Sequence, residues 1–102
     1  MTIVWVNDSL AHLAENVRYI KLNFGNRALS DFRKKLKKLL LMISQNPEMA
    51  TKEPLLEGLD IVYRSYPIER HSRIVYYVQD DTIYIADFWN MLRSPENLVR
   101  GV

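Results

Sequence analysis

Cysteine is absent from the 102 residues, so neither disulfides nor thiolate metal sites are open to this chain, and secretion gains no support. Glycine occurs three times and never in a cluster, which removes a glycine-rich phosphate loop. Neither of the two histidines, His12 and His71, has metal-ligand spacing to another histidine or a carboxylate, so no metal and no cofactor is expected. No apolar run reaches membrane-spanning length; Leu39 to Ile43 is flanked by lysines and polar residues. The start, Met-Thr-Ile-Val-Trp-Val, lacks the basic opening and long apolar run of a signal peptide. A soluble cytoplasmic protein is the reading. Lysine also stops at Lys52, and every later cation is an arginine: Arg64, Arg70, Arg73, Arg93 and Arg100. Arginine offers a rigid fork to phosphate or carboxylate where lysine is a hydrated point charge. The second half is thus suited to gripping an anion, or the split is chance in a small sample.

What is present centres on Glu69 to Arg93. Arg73 to Val78 and Thr82 to Trp89 are runs of β-branched and aromatic residues around Gln79-Asp80-Asp81, a break short enough only for a turn. Two such runs predict a β-hairpin. The period of two puts Glu69, His71 and Arg73 on one side of a strand and Ile74, Tyr76 and Val78 on the other. A carboxylate, an imidazole and a guanidinium in a row form a candidate site, with Glu69 placed less securely because it follows Pro67.

Upstream, Thr2 to Val6 reads as a first strand and Asn7-Asp8-Ser9 as the cap of a helix running to about Asn23. Leu10, Leu13, Val17, Ile20 and Phe24 keep helical spacing and predict one buried stripe. Gly25 supplies a left-handed stop. A second helix from about Arg27 to Gln45 buries Leu29, Phe32, Leu36, Leu39, Leu40 and Ile43 and exposes Arg33, Lys34, Lys35, Lys37 and Lys38, read as a solvated face rather than a nucleic-acid patch. Pro47 to Gly58 reads as an ordered loop pinned by Leu55 and Leu56, Leu59 to Tyr66 as a strand closed by Pro67, and Ser94-Pro95-Glu96 as the opening of a short helical turn. The order is β-α-α-β-β-β in one domain, residues 1–102. That is an α+β two-layer fold with a helical hairpin on one face of a mainly antiparallel four-stranded sheet. Two helices cover one face, which leaves the other partly open or covered from outside.

Taken together, Asn46-Pro47-Glu48, His71-Ser72-Arg73-Ile74-Val75-Tyr76-Tyr77-Val78, Asp80-Asp81-Thr82-Ile83-Tyr84-Ile85 and Phe88-Trp89-Asn90-Met91-Leu92-Arg93-Ser94-Pro95-Glu96-Asn97-Leu98 give the chain a family likeness. Over nearly its whole length it resembles the RelE/ParE superfamily of toxins from type II toxin-antitoxin systems, some of them known as plasmid stabilisation proteins. The resemblance implies a growth-inhibiting toxin neutralised by a cognate antitoxin, as a homodimer or a hetero-oligomer with that antitoxin. RelE-like members cleave mRNA on the ribosome, and ParE-like members poison DNA gyrase. Arg73 matches the arginine that RelE-type enzymes place against the scissile phosphate, and Arg93 a second arginine after the last strand. RelE-type toxins usually add a lysine-rich stretch and a C-terminal tyrosine or histidine. Here the loop offers only Lys52, and neither Tyr nor His follows Arg93, which tilts the resemblance toward ParE.

Metal-free RNA cleavage needs a base for the 2′-hydroxyl proton, an acid for the leaving oxygen and cations at the phosphate. Glu69, His71, Arg73 and Arg93 are the candidates for those roles. Against this stand plainer readings: the alternating polar residues as a solvated strand face, Arg93 as a cap on the carboxy end of the fold or paired with Asp87, and His12 as structural or solvent-facing. Seven aromatics, Tyr63, Tyr66, Tyr76, Tyr77, Tyr84, Phe88 and Trp89, exceed what two helices can cover, and any left on the open sheet face suit an antitoxin segment or, less in keeping with a net charge of +2, the stacking of bases. Three activities follow: inhibition of gyrase without chemistry by the toxin, ribosome-dependent mRNA cleavage, or a degenerate toxin that only binds its antitoxin.

Overall fold

The computed structural model describes residues 1–90, 98–99 and 102. Five strands form one sheet: β1 (Thr2–Trp5), β2 (Thr51–Lys52), β3 (Arg64–Glu69), β4 (Ser72–Gln79) and β5 (Thr82–Asn90), in the order β1-β5-β4-β3-β2. All pairings are antiparallel except β1 on β5, which is parallel. The α+β architecture, with helix on a mainly antiparallel sheet, is as expected. The fifth strand is new: two residues, Thr51 and Lys52, pair with Ser65 and Arg64 inside what the sequence presents as loop.

One helical segment, α1 (Ser9–Gln45), connects β1 to β2. A straight helix of its 37 residues would run roughly 55 Å, yet the molecule's longest dimension is 39 Å. Gly25 resolves this, with φ +88° and ψ −176° inside the run. A side chain is strained at that φ, and glycine is not. Asn23 Nδ2 donates to the Tyr19 carbonyl at 2.9 Å in the turn just before the break. The two arms then fold together, since Leu13, Val17 and Ile20 share one cluster with Leu29, Phe32 and Phe88. The helical hairpin is present with a one-residue joint. Leu10 and Phe24 leave the predicted stripe, being 56% and 65% exposed.

The β4–β5 turn is as the sequence implies. Asp80 and Asp81 both have positive φ, 49° and 62°, the conformation of a two-residue turn matched to strand twist. The β3–β4 turn differs from expectation. Arg70 and His71 form it, so the strand break falls inside the row Glu69–His71–Arg73. Nor does β3 close before Pro67: Pro67 pairs with Arg73 within it, beyond the reach of β2, on a sheet margin where its missing N–H breaks no ladder. Leu59–Tyr63 is not strand.

Against α1, Leu39 and Ile43 pack with Ile74, Tyr76, Ile83 and Ile85. The opposite face was expected to be partly open or covered from outside the chain; it carries a cluster of its own, in which Leu56, Val75, Ala86 and Trp89 are covered with Leu98 from the same chain. An extra residue at Ala86 makes this two-sided core possible. From Ile85 onward, strict alternation would turn Phe88 away from α1. The bulge reverses the parity, so Phe88 meets Phe32 edge-on at 5.9 Å and Trp89 enters the far cluster.

Tyr76 is fully buried and its hydroxyl donates to the Pro47 carbonyl at 2.6 Å, fastening the loop after α1 to the sheet. Burial raises its phenol above the ordinary 10.0. Below pH 10 the phenol is protonated whether the chain is folded or not, so this group gives no pH dependence. Above it the unfolded phenol ionises first, and stability falls as pH rises. Urea unfolding at pH 8 to 11 will show this fall, and Tyr76→Phe, costing about 1 kcal/mol at pH 8, will flatten it. A residual slope will remain from Tyr63, whose phenol is raised by burial and then by Tyr77.

Candidate functional site

Glu53 is the polar centre of the far face, with its side chain 1% exposed. It sits between β2 and the short 3-10 turn Pro54–Leu56, where it caps the turn by accepting from the Leu55 N–H at 2.9 Å. Across the sheet its Oε1 accepts from the Ser65 hydroxyl at 3.0 Å and from Arg73 Nη1 at 2.7 Å. Strand alternation explains the meeting: Arg73 shares a face with Val75, which packs against Leu56 of the same turn. A buried carboxylate needs such donors to offset its lost hydration. The guanidinium, 31% exposed, is thereby committed to an internal ion pair. Beside it Arg64 Nη1 donates to the Ala50 carbonyl at 2.8 Å, so two of the late arginines staple the loop instead of waiting for an anion.

The other expected site residues lie elsewhere. Glu69 ends β3 and His71 belongs to the turn; both line a cleft of about 420 Å³ between that turn and the helical hairpin, with Arg70, Lys35, Asn16 and Asn90 around them. Arg73 does not line it. The predicted row of three on one strand face is therefore not formed, because Arg70-His71 consumes two residues as a turn. Arg93, and the Ser94-Pro95-Glu96 turn, lie outside the described residues. Among the described residues, no group of three or more His, Cys, Asp or Glu side chains could hold a metal ion.

A second buried carboxylate escaped the sequence reading. Asp87 is 1% exposed and accepts from the Phe88 N–H at 2.8 Å, from Trp89 Nε1 at 3.1 Å and through Oδ1 from His12 Nδ1 at 2.5 Å. Its signal was available: an aspartate in the run Ile85-Ala-Asp-Phe-Trp can be buried only with partners. His12, on the first turn of α1, is indeed structural, although it also borders a smaller cleft of about 210 Å³ with Glu15, Asn16 and Tyr19. Glu53 gave less warning, since nothing in its neighbourhood distinguishes it from other loop carboxylates.

Comparison with known proteins agrees with this architecture. Residues 3–95 match the family described as "ParE toxin of type II toxin-antitoxin system, parDE". The chain resembles the YoeB dimer from Staphylococcus aureus at 27% identity, covering 85% of this chain and 92% of that one, with a TM-score of 0.57. It also resembles the chromosomal ParDE TA system from P. aeruginosa at 14% identity and TM-score 0.68, covering 88% and 95%. The YoeB-YefM complex from Staphylococcus aureus matches at 24% identity and TM-score 0.54, covering 86% and 93%. No curated protein matches.

Proposed function

Given that the chain belongs to the ParE toxin family of type II toxin-antitoxin systems, we propose that it arrests growth by binding DNA gyrase, performs no bond-breaking chemistry itself, and is silenced by a cognate antitoxin. The observation that carries this reading is the commitment of Arg73 to Glu53. A nuclease of the RelE kind needs that guanidinium free to meet developing charge on a phosphate. Here it is spent on a carboxylate of the same chain, and Glu69 and His71 stand on a different margin of the sheet. Gyrase inhibition asks only for a complementary surface. The antitoxin reading draws on the relatives seen as the ParDE system and the YoeB-YefM complex.

Expression of the chain without an antitoxin will stop growth, and the purified protein will stop supercoiling by gyrase while messages on translating ribosomes stay whole. Cleaved message with supercoiling untouched would transfer the function to mRNA cleavage by Arg73, His71 and Arg93, with the Arg73 guanidinium released from Glu53. Expression without any arrest would leave a degenerate toxin that only binds its antitoxin.

A further inference from the structure

We propose that the joint of the helical hairpin is the surface with which this toxin seizes its protein target, and that the target offers an apolar groove with an acidic rim; this rests on the toxin reading but not on gyrase as the target. Three large apolar side chains crowd the joint and are turned to solvent: Tyr19 at 54%, Leu22 at 83% and Phe24 at 65% exposure. Single exposed apolar residues are ordinary on a soluble protein; three within six positions form a patch. The patch is also ordered, because Tyr19 and Phe24 contact edge to face at 6.0 Å and Asn23 fastens the turn between them. Gly25 positions it. Helical spacing from Leu13, Val17 and Ile20 would carry Phe24 inward, but the chain breaks one residue later and Phe24 faces out.

Charge specifies the occupant. From Asn16 to Ser30 the chain holds Arg18, Lys21 and Arg27 and no acidic residue. All three are exposed, and none forms an ion pair with a described residue. Arg18, Lys21 and Arg27 outnumber the flanking Glu15 and Asp31, and a net cationic rim beside an apolar centre favours an acidic partner and penalises a second copy meeting joint to joint, which would oppose like charges. Shape narrows it further. The exposed patch adjoins the 420 Å³ cleft, which Tyr19 and Phe24 also line. A folded partner can both receive the knob and fill the cleft, whereas a bilayer surface cannot enter the cleft. A short neutralising segment would itself have to be the element lying in a groove. The knob therefore suits the large folded target.

The test uses the full chain with Leu22→Glu plus Phe24→Glu, and separately Arg18→Glu plus Lys21→Glu; Lys34→Glu plus Lys37→Glu on the far arm serves as control. The substituted side chains are exposed, so each pair should cost no more than about 1 kcal/mol, a shift of at most about 4–8 °C in melting temperature. The apolar pair will abolish growth arrest at equal expression. If gyrase is the target, this pair will also raise the concentration needed to stop supercoiling by about a hundredfold or more. The charge pair will slow association and remove its salt dependence, and the control will do neither. Joint variants that still arrest growth like the parent overturn the proposal. So does binding of the parent to phosphatidylglycerol vesicles that is lost with the apolar pair, which would make the surface a membrane contact. Arrest that depends on the joint while purified gyrase is unaffected keeps the surface and removes gyrase alone.

Discussion

Arg73→Ala will lower the melting temperature by roughly 12–24 °C, from about 3 kcal/mol lost at 4–8 °C per kcal/mol in a domain of this size. The cause is what the substitution strands. Glu53 would keep Ser65 and the Leu55 N–H but lose the one cation that it meets among the described residues, in a site 1% exposed. An uncompensated buried charge is among the few single changes that cost this much. The reverse change is gentler. Glu53→Gln leaves Arg73, at 31% exposure, able to reach water, and keeps an acceptor for Ser65. Thermal melts should rank the parent above Glu53→Gln and Glu53→Gln above Arg73→Ala. If Arg73→Ala melts with the parent, the pair is not structural. Loss of toxicity on Arg73→Ala, taken alone, would therefore say nothing about catalysis, because a protein missing its fold is also inactive. Arg73→Lys, which keeps the charge and gives up the fork, separates the two.

Asp87→Ala will cost on the order of 2–6 kcal/mol, because it leaves two buried donors, Trp89 Nε1 and the Phe88 N–H, each worth roughly 1–3 kcal/mol when unpaired. Trp89 itself is wholly buried, so the damage sits in the middle of the far cluster. Asp87→Asn will cost less, since one oxygen still accepts while the amide meets donors with a donor. His12→Ala will also cost less than Asp87→Ala, because Asp87 keeps its other two bonds. Urea unfolding followed by tryptophan fluorescence in a Trp5→Phe background reads both the stability and the environment of Trp89. Equal stability of Asp87→Ala and the parent would remove this network from what holds α1 to β5.

Much of the architecture was legible in the sequence because its signals are local. β-branched runs around Asp80-Asp81 gave the hairpin, and helical spacing on both sides of Gly25 gave the two arms. What escaped depends on contacts distant along the chain. Arg70-His71 turns without glycine or asparagine, so the strand seemed continuous and Glu69, His71 and Arg73 seemed to share a face. Thr51–Lys52 is too short to leave a periodicity and exists only because β3 offers it an edge. The closed far face needed Leu56 and Leu98, 42 positions apart by their numbers, to meet over Trp89. The partner of Arg73, Glu53, lies twenty residues upstream and in a different element.

The parallel pairing of Thr2–Trp5 with Thr82–Ile85 joins two strands 80 positions apart by their numbers. The sheet therefore cannot close until residues 82–85 have been made, and up to that point the apolar strand at residues 2–5 has no edge to pair with.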